Sequence, residues 1–207
     1  ADVVHILAEA RQAGNAALAA AFEASPLAAR ALVAAQAHLT DVLVTTAFDV
    51  ARYHLHPTAN PTEAERIALF AVGGYGRAEM APQSDVDLLF LTPWKITPWA
   101  ENVIESMLYI LWDLKLKVGH SSRTVADCLR LAKSDVTIRT ALLEHRFLGG
   151  WQPLAIELDD RLWKELFRNT GPQFIEAKLA ERAERHRKQG GQRYVLEPNV
   201  KEGKGGL

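Results

Sequence analysis

Two short apolar runs constrain this chain more than any other feature: IALFAV at 67–72 and VDLLFL at 86–91, joined by GGYGRAEMAPQSD. Each has the length of a strand, is bounded by glycine, proline or polar residues, and is too short for a buried helix. A third strand candidate, LKVGHSSRTV around 116–125, follows a helical pattern from Trp99 to Leu114. The order strand, loop, strand, helix, strand, set between helical flanks, predicts an α+β fold with a small sheet flanked by helices.

The flanks read plainly. Residues 2–23 and 27–55 are alanine-rich with apolar residues at helical spacing, and Ser25-Pro26 breaks them into a helical hairpin. HPTANPTEAER at 56–66 is a loop by its proline and asparagine content. Downstream, helices are predicted at 125–133, 136–147, 153–168 and 172–189. The expected organisation is a helical N-terminal segment over 1–57, a core over 65–134, and a helical region over 135–207. A chain of 207 residues, 48% of them hydrophobic, is long enough to bury a core. Its single cysteine, Cys128, cannot form an internal disulfide. No signal-peptide pattern and no apolar run of about 18 residues stands out, so a cytoplasmic protein away from membranes is expected. The net charge of -1 offers no global attraction to nucleic acid or an anionic surface, and any affinity for phosphates must be local. The chain starts at Ala1 and stops in KEGKGGL, and it is expected to be a piece of a longer protein.

The chemistry concentrates at 73–91. Asp85 and Asp87 are two apart, so on a strand both side chains point to one face while Val86 points to the other. Two carboxylates side by side repel, and a divalent cation is the natural partner; hard oxygen ligands favour Mg2+, which shares itself between carboxylates and substrate phosphates. Gly73-Gly74 fits the same chemistry, because backbone without Cβ atoms approaches a phosphate closely and aims N–H groups at it. Taken singly, the glycines also read as a tight turn and the aspartates as strand-edge charges. The rival glycine motifs fail: a dinucleotide fingerprint needs glycine where Glu79 stands, and EGKGGL does not supply a Walker A loop. Arg77 is suited either to a triphosphate or to a structural salt bridge. Ser84 adds a hydroxyl donor or orders the loop. Lys201 and Lys204, among glycines, are point charges for a polyphosphate or part of a disordered end. The mixed charges of ERAERHRKQGG read as a solvated helix face.

A glycine pair after a strand, a spacer of about ten residues, and Asp-x-Asp in an apolar strand resemble the nucleotidyltransferase superfamily that includes DNA polymerase beta. More specifically, GGYGRAEMAPQSDVDLLFL, LWDLKLKVGHSSRTVADC, TIRTALLEHRFLGG and YVLEPNVKEGKGGL resemble the N-terminal part of the bacterial PII uridylyltransferases, bifunctional uridylyltransferase/uridylyl-removing enzymes. The resemblance covers about residues 65–207. It implies a nucleotidyltransferase fold with a small mixed sheet, and transfer of UMP from UTP to a tyrosine of the signalling protein PII with release of pyrophosphate. It also implies two Mg2+ ions held by Asp85 and Asp87, and β- and γ-phosphates on Gly73 and Gly74. Many superfamily members carry a third carboxylate on the next strand, where LKVGHSSRTV has none; His120 and Glu79 are the substitutes within reach of the sequence. An adenylyltransferase of the glutamine synthetase-modifying type, or a non-catalytic nucleotide-binding module, would share the glycine pair and Asp-x-Asp. The uridylyl-removing activity of the family relies on a separate His-Asp phosphohydrolase domain, and no adjacent His-Asp pair occurs in this sequence.

Overall fold

The computed structural model describes residues 2–188, which fall into two compact units divided between Arg161 and Leu162. The first unit is built on a four-stranded mixed sheet: β1 (Ala68–Ala71), β2 (Val86–Thr92), β3 (Val118–Thr124) and β4 (Arg146–Gly150), in the order β3-β2-β1-β4. β2 and β3 run parallel, and β1 is antiparallel to both β2 and β4. The α+β architecture and the three strands expected from the sequence are present. The fourth strand is a correction.

The helix expected over 136–147 stops early. α6 (Val136–Leu143) ends at Leu143, and Arg146–Gly150 joins the outer edge of β1, with a register shift between Leu69 and Phe70. Tertiary pairing overrides the helical pattern here. The Arg146 guanidinium makes a two-pronged ion pair with Asp41, at 2.9 and 3.0 Å, and donates to the carbonyls of Tyr75 (3.1 Å) and Gly76 (3.2 Å). Phe147 packs edge-on against Phe70, 5.6 Å between ring centres. Gly149 and Gly150, poor helix formers, complete the turn away from helix.

Alternation along the strands sends apolar side chains to both faces of the sheet. Leu69, Ala71, Val86, Leu88 and Phe90 enter one core cluster with residues of α2 (Ala29–Asp49) and α4 (Pro98–Asp113). Ala68, Phe70, Leu89 and Leu91 are equally buried but point the other way, and α5 (Val125–Ser134), which packs along β3, buries Val125, Cys128, Leu129 and Ala132. Each buried valine, leucine or phenylalanine among these contributes about 1.5–3 kcal/mol, so a sheet covered on two faces is a large part of the driving force for this unit. Burial pushes the Cys128 thiol up to about 11, which makes it packing rather than chemistry.

Local signals explain the helix starts. Thr97 accepts the Ala100 N–H at 3.2 Å, with Pro98 in the first turn of α4. Thr124 and Asp127 form a reciprocal capping box at the start of α5. Hydrogen bonds from Arg130 first and Thr124 second hold the Asp127 carboxyl below its usual range. Asp127 is therefore engaged in capping. At the N-terminus, α1 (Asp2–Ala24) packs on α2 as the expected hairpin, and Arg11 ties α1 to the Leu114 carbonyl at 2.8 Å. α2 runs on through a π-helical turn, Val50–Leu55. The continuous helix Ala29–Leu55 is long and apolar enough to cross a membrane by length and composition, which the sequence reading did not anticipate. Ala37, Leu43, Val44, Ala47, Phe48 and Ala51 on it are buried in the core cluster.

α7 (Gln152–Leu162) follows β4. In the second unit a π-helical turn, Trp163–Phe167, is closed by Thr170, whose hydroxyl donates to the Leu166 carbonyl at 2.7 Å. α8 (Gly171–Lys188) carries ion pairs along its own surface, Lys178 with Glu181 and Arg187 with Glu184, each at 2.6 Å. The Arg187–Glu184 pair belongs to the run ERAERHRKQGG read as a solvated face, whose residues 189–191 lie outside the described residues.

The Arg146–Asp41 pair joins β4 to α2 with 31% and 23% of the two side chains exposed. Arg146→Ala strands the Asp41 carboxylate and two carbonyls. Urea unfolding is expected to show a loss of about 2 kcal/mol, below the 3–5 kcal/mol typical of a fully buried pair. An unchanged midpoint would mean that the pair does not hold β4 in place.

Candidate active site

The site forms where β1 leaves the sheet and β2 enters it. The Val72 N–H donates to the Asp87 carbonyl at 3.1 Å, extending the β1–β2 pairing by one residue. The chain then turns at Gly73, whose φ of +62° favours glycine, into the single helical turn α3 (Gly73–Gly76). Such a turn leaves its leading N–H groups without helical partners. The loop after it is anchored by Met80, 3% exposed, whose N–H donates to the Val33 carbonyl at 3.3 Å, and by the Ser84 N–H on the Ala81 carbonyl at 3.1 Å. β2 is captured by β3 at its first residue, Val86 N–H to Lys117 carbonyl at 2.8 Å.

Asp85 stands one residue before regular β2, and Asp87 is the second residue within it. Both are exposed and Val86 between them is buried, which is the alternation expected of an extended chain. Asp87 pairs with Gly119 of β3 in the parallel register. A Cβ at Gly73 would lie 3.7 Å from Asp87 Oδ2, and one at Gly119 would lie 2.5 Å from Asp87 Oδ1. The Asp87 carboxylate thus sits between two positions that lack side chains.

The remaining residues singled out by sequence distribute as follows. A Cβ at Gly74 would meet nothing nearer than 3.7 Å, from Arg77 Nη2 and the Glu79 carbonyl, so the need for left-handed backbone falls on Gly73. Arg77 makes ion pairs with Glu144 at 2.7 Å and Glu79 at 3.2 Å and stays 46% exposed. Ser84 lines a groove of about 820 Å³ between α1, α2 and the loops at 80–84 and 115–117. Lys201 and Lys204 lie outside the described residues. His120 pairs with Leu88, so alternation places it on the sheet face opposite Asp87. Glu79 is engaged by Arg77. β3 itself, VGHSSRT, carries no carboxylate.

Three residues that the sequence did not single out support the turn. Arg146, paired with Asp41, donates to the carbonyls of Tyr75 and Gly76, and Tyr75 is buried with its ring 5.5 Å from the Arg146 guanidinium. Burial, and then the Asp41 charge, raise the Tyr75 phenol well above its ordinary pKa, so it stays neutral. No local signal announces this arrangement, because Asp41 and Arg146 are 105 residues apart.

Among the described residues no cluster of three or more histidine, cysteine or acidic side chains could enclose a metal ion. Two exposed carboxylates, one of them seated where a Cβ would fill the space, fit instead a hard cation whose other ligands come from water and a bound phosphate.

The mixed sheet with its flanking helices has a nucleotidyltransferase-like architecture, with the acidic strand entry beside a glycine turn. A family profile, GlnD PII-uridylyltransferase, matches residues 173–207. The chain is 74% identical over 204 residues to a bifunctional uridylyltransferase/uridylyl-removing enzyme of Cereibacter sphaeroides. It is 66% identical over 205 residues to that of Ruegeria pomeroyi, and 54% over 205 residues to that of Erythrobacter litoralis. Each alignment takes in 99% of this chain, which spans 22% of the length of the curated relative. Over nearly all of its length the chain is therefore similar to one part of these bifunctional uridylyltransferase/uridylyl-removing enzymes.

Gly76 separates support from chemistry within the glycine cluster. A Cβ there would run into the Glu144 carbonyl and lie 3.1 Å from that of Ala71, both backbone atoms that cannot swing aside. Gly76→Ala is expected to destabilise by about 1–3 kcal/mol as α3 is pushed off the end of α6, whereas Gly74→Ala leaves the thermal midpoint nearly unchanged. Equal midpoints for the two variants would contradict this placement of α3.

Proposed function

We propose that this chain is the nucleotidyl-transfer part of an enzyme that moves UMP from UTP to a tyrosine of the nitrogen-signalling protein PII, releasing pyrophosphate. One observation carries the reading: the Asp87 carboxylate, in a chain 74% identical to a uridylyltransferase, sits between two bare glycine positions at the mouth of the sheet. Residues 65–134 are the catalytic core in this reading, 1–57 a helical N-terminal segment, and 135–207 the start of an associated helical domain. The reaction belongs to the cytoplasm, where UTP is available.

Transfer requires the tyrosine oxygen to bond to the α-phosphorus while the bond to the pyrophosphate oxygen breaks on the opposite side. A free tyrosine hydroxyl has a pKa of about 10, so it reaches the site protonated and gives up that proton to solvent water as the new bond forms. Asp85 and Asp87 would hold Mg2+, two ions in chemistry of this class, which supplies charge neutralisation at the attacking and departing oxygens. Gly73 and Gly74 offer the leading N–H groups of α3 to the β- and γ-phosphates, at a turn whose backbone is open to a ligand. Ser84 adds a hydroxyl at the end of the same loop. Arg77, already paired on one side with Glu144 and Glu79, presents its exposed remainder toward solvent, where a triphosphate would add a third anionic partner. Lys201 and Lys204 add point charges over the polyphosphate.

Asp85→Asn and Asp87→Asn, made in the full-length polypeptide, are expected to cut UMP transfer by about 10³-fold or more, since several kcal/mol of charge stabilisation are lost. The melting temperature should hold or rise slightly as like-charge repulsion is relieved. Labelled UTP with PII, beside a circular-dichroism melt of the same samples, reads both. Full transfer by both variants contradicts the assignment, and labelling from ATP in preference to UTP contradicts the substrate.

A further inference from the structure

Gly119 occupies the middle of β3's N-terminal half, and no feature of its backbone calls for glycine: among the described residues it is not one of those with positive φ. Glycine inside a strand weakens it, through lost entropy and the absence of a side chain to pack. What fills the space at Gly119 is the carboxylate of its registered partner. In a parallel pair the two residues face the same side of the sheet, on strands about 4.8 Å apart. A Cβ at 119 would stand 2.5 Å from Asp87 Oδ1, closer than Cβ atoms come to a heavy atom elsewhere in the fold, while Gly73 leaves 3.7 Å on the side of Oδ2. The carboxylate leans into the room that Gly119 provides.

We propose that Gly119 is a positioning residue for the transfer site, its missing side chain setting the orientation from which Asp87 meets a divalent cation. This rests on the reading of Asp87 as a cation ligand. The role is separate from that of Gly73 and Gly74, which act through backbone, because Gly119 acts only through the side chain across the register.

The test is a double-variant cycle on the full-length polypeptide, with Mn2+ alone as the probe and its binding read by electron paramagnetic resonance. Asp87→Asn is expected to weaken Mn2+ binding at least tenfold. Gly119→Ala should do the same while Asp87 is present, and the two together should weaken it no further than Asp87→Asn alone, since contacting residues are not additive. Unchanged binding in Gly119→Ala, or the same further loss on top of Asp87→Asn, overturns the role of Gly119 and leaves Asp87 as a ligand. Unchanged binding in Asp87→Asn overturns the cation reading itself, and the role of Gly119 falls with it. If Gly119→Ala does not fold, the Asp87→Ala background removes the opposing carboxylate. The double variant should then melt within a few degrees of Asp87→Ala, and a double variant that still fails to fold overturns the inference.

Discussion

The pairing of β2 with its two neighbours is the constraint on which the site depends. On one side the Val72 N–H meets the Asp87 carbonyl, and on the other Asp87 stands in register with Gly119. A slip of one residue in either ladder would turn Asp87 into the interior and bring Leu88 to the mouth of the sheet. The register is protected by what lies further along β2. Leu88 and Phe90 are buried on one face, Leu89 and Leu91 on the other, and none of the four is more than 1% exposed. An acidic residue is thus carried at the end of one of the most tightly packed strands in the molecule. The apolar core fixes the position of that carboxylate.

The glycine turn is held from behind by different forces. Gly76 lets α3 settle against the end of α6, and Arg146 gathers the Tyr75 and Gly76 carbonyls while pairing with Asp41 on α2. Charge-assisted bonds of this kind are directional, whereas apolar packing is not. Arg146 and its partner Asp41 therefore orient the turn, while the apolar packing of β2 fixes the strand beside it. The site needs both.

How much of this could be read from sequence follows the range of each interaction. Strands at 67–72, 86–91 and 116–125 are legible because a short apolar run bounded by breakers has few alternatives. Asp85 and Asp87 are legible because a period of two is local. β4 is not, since RFLGG is brief and its pairing with β1 links residues 75 to 82 positions apart. Arg146 reads as one more basic residue on a helix until Asp41 is found opposite it. Gly119 stands in the sequence within VGH, and a glycine in a strand hints at a close approach. Only the register shows what approaches it. Of Gly73 and Gly74 only Gly73 has left-handed backbone, a distinction that two adjacent glycines conceal.

In the proposed function a cation and a triphosphate meet the protein at Asp85, Asp87 and the Gly73–Gly74 backbone. The most direct measurement is a crystal structure with Mn2+ and a non-hydrolysable UTP analogue, with the metal located by its anomalous scattering. The expected result is Mn2+ coordinated by the Asp87 carboxylate, with the analogue's phosphates against the N–H groups of Gly73 and Gly74. Metal and analogue bound elsewhere, for instance in the groove between α1 and α2 with the Asp87 carboxylate uncoordinated, would contradict it.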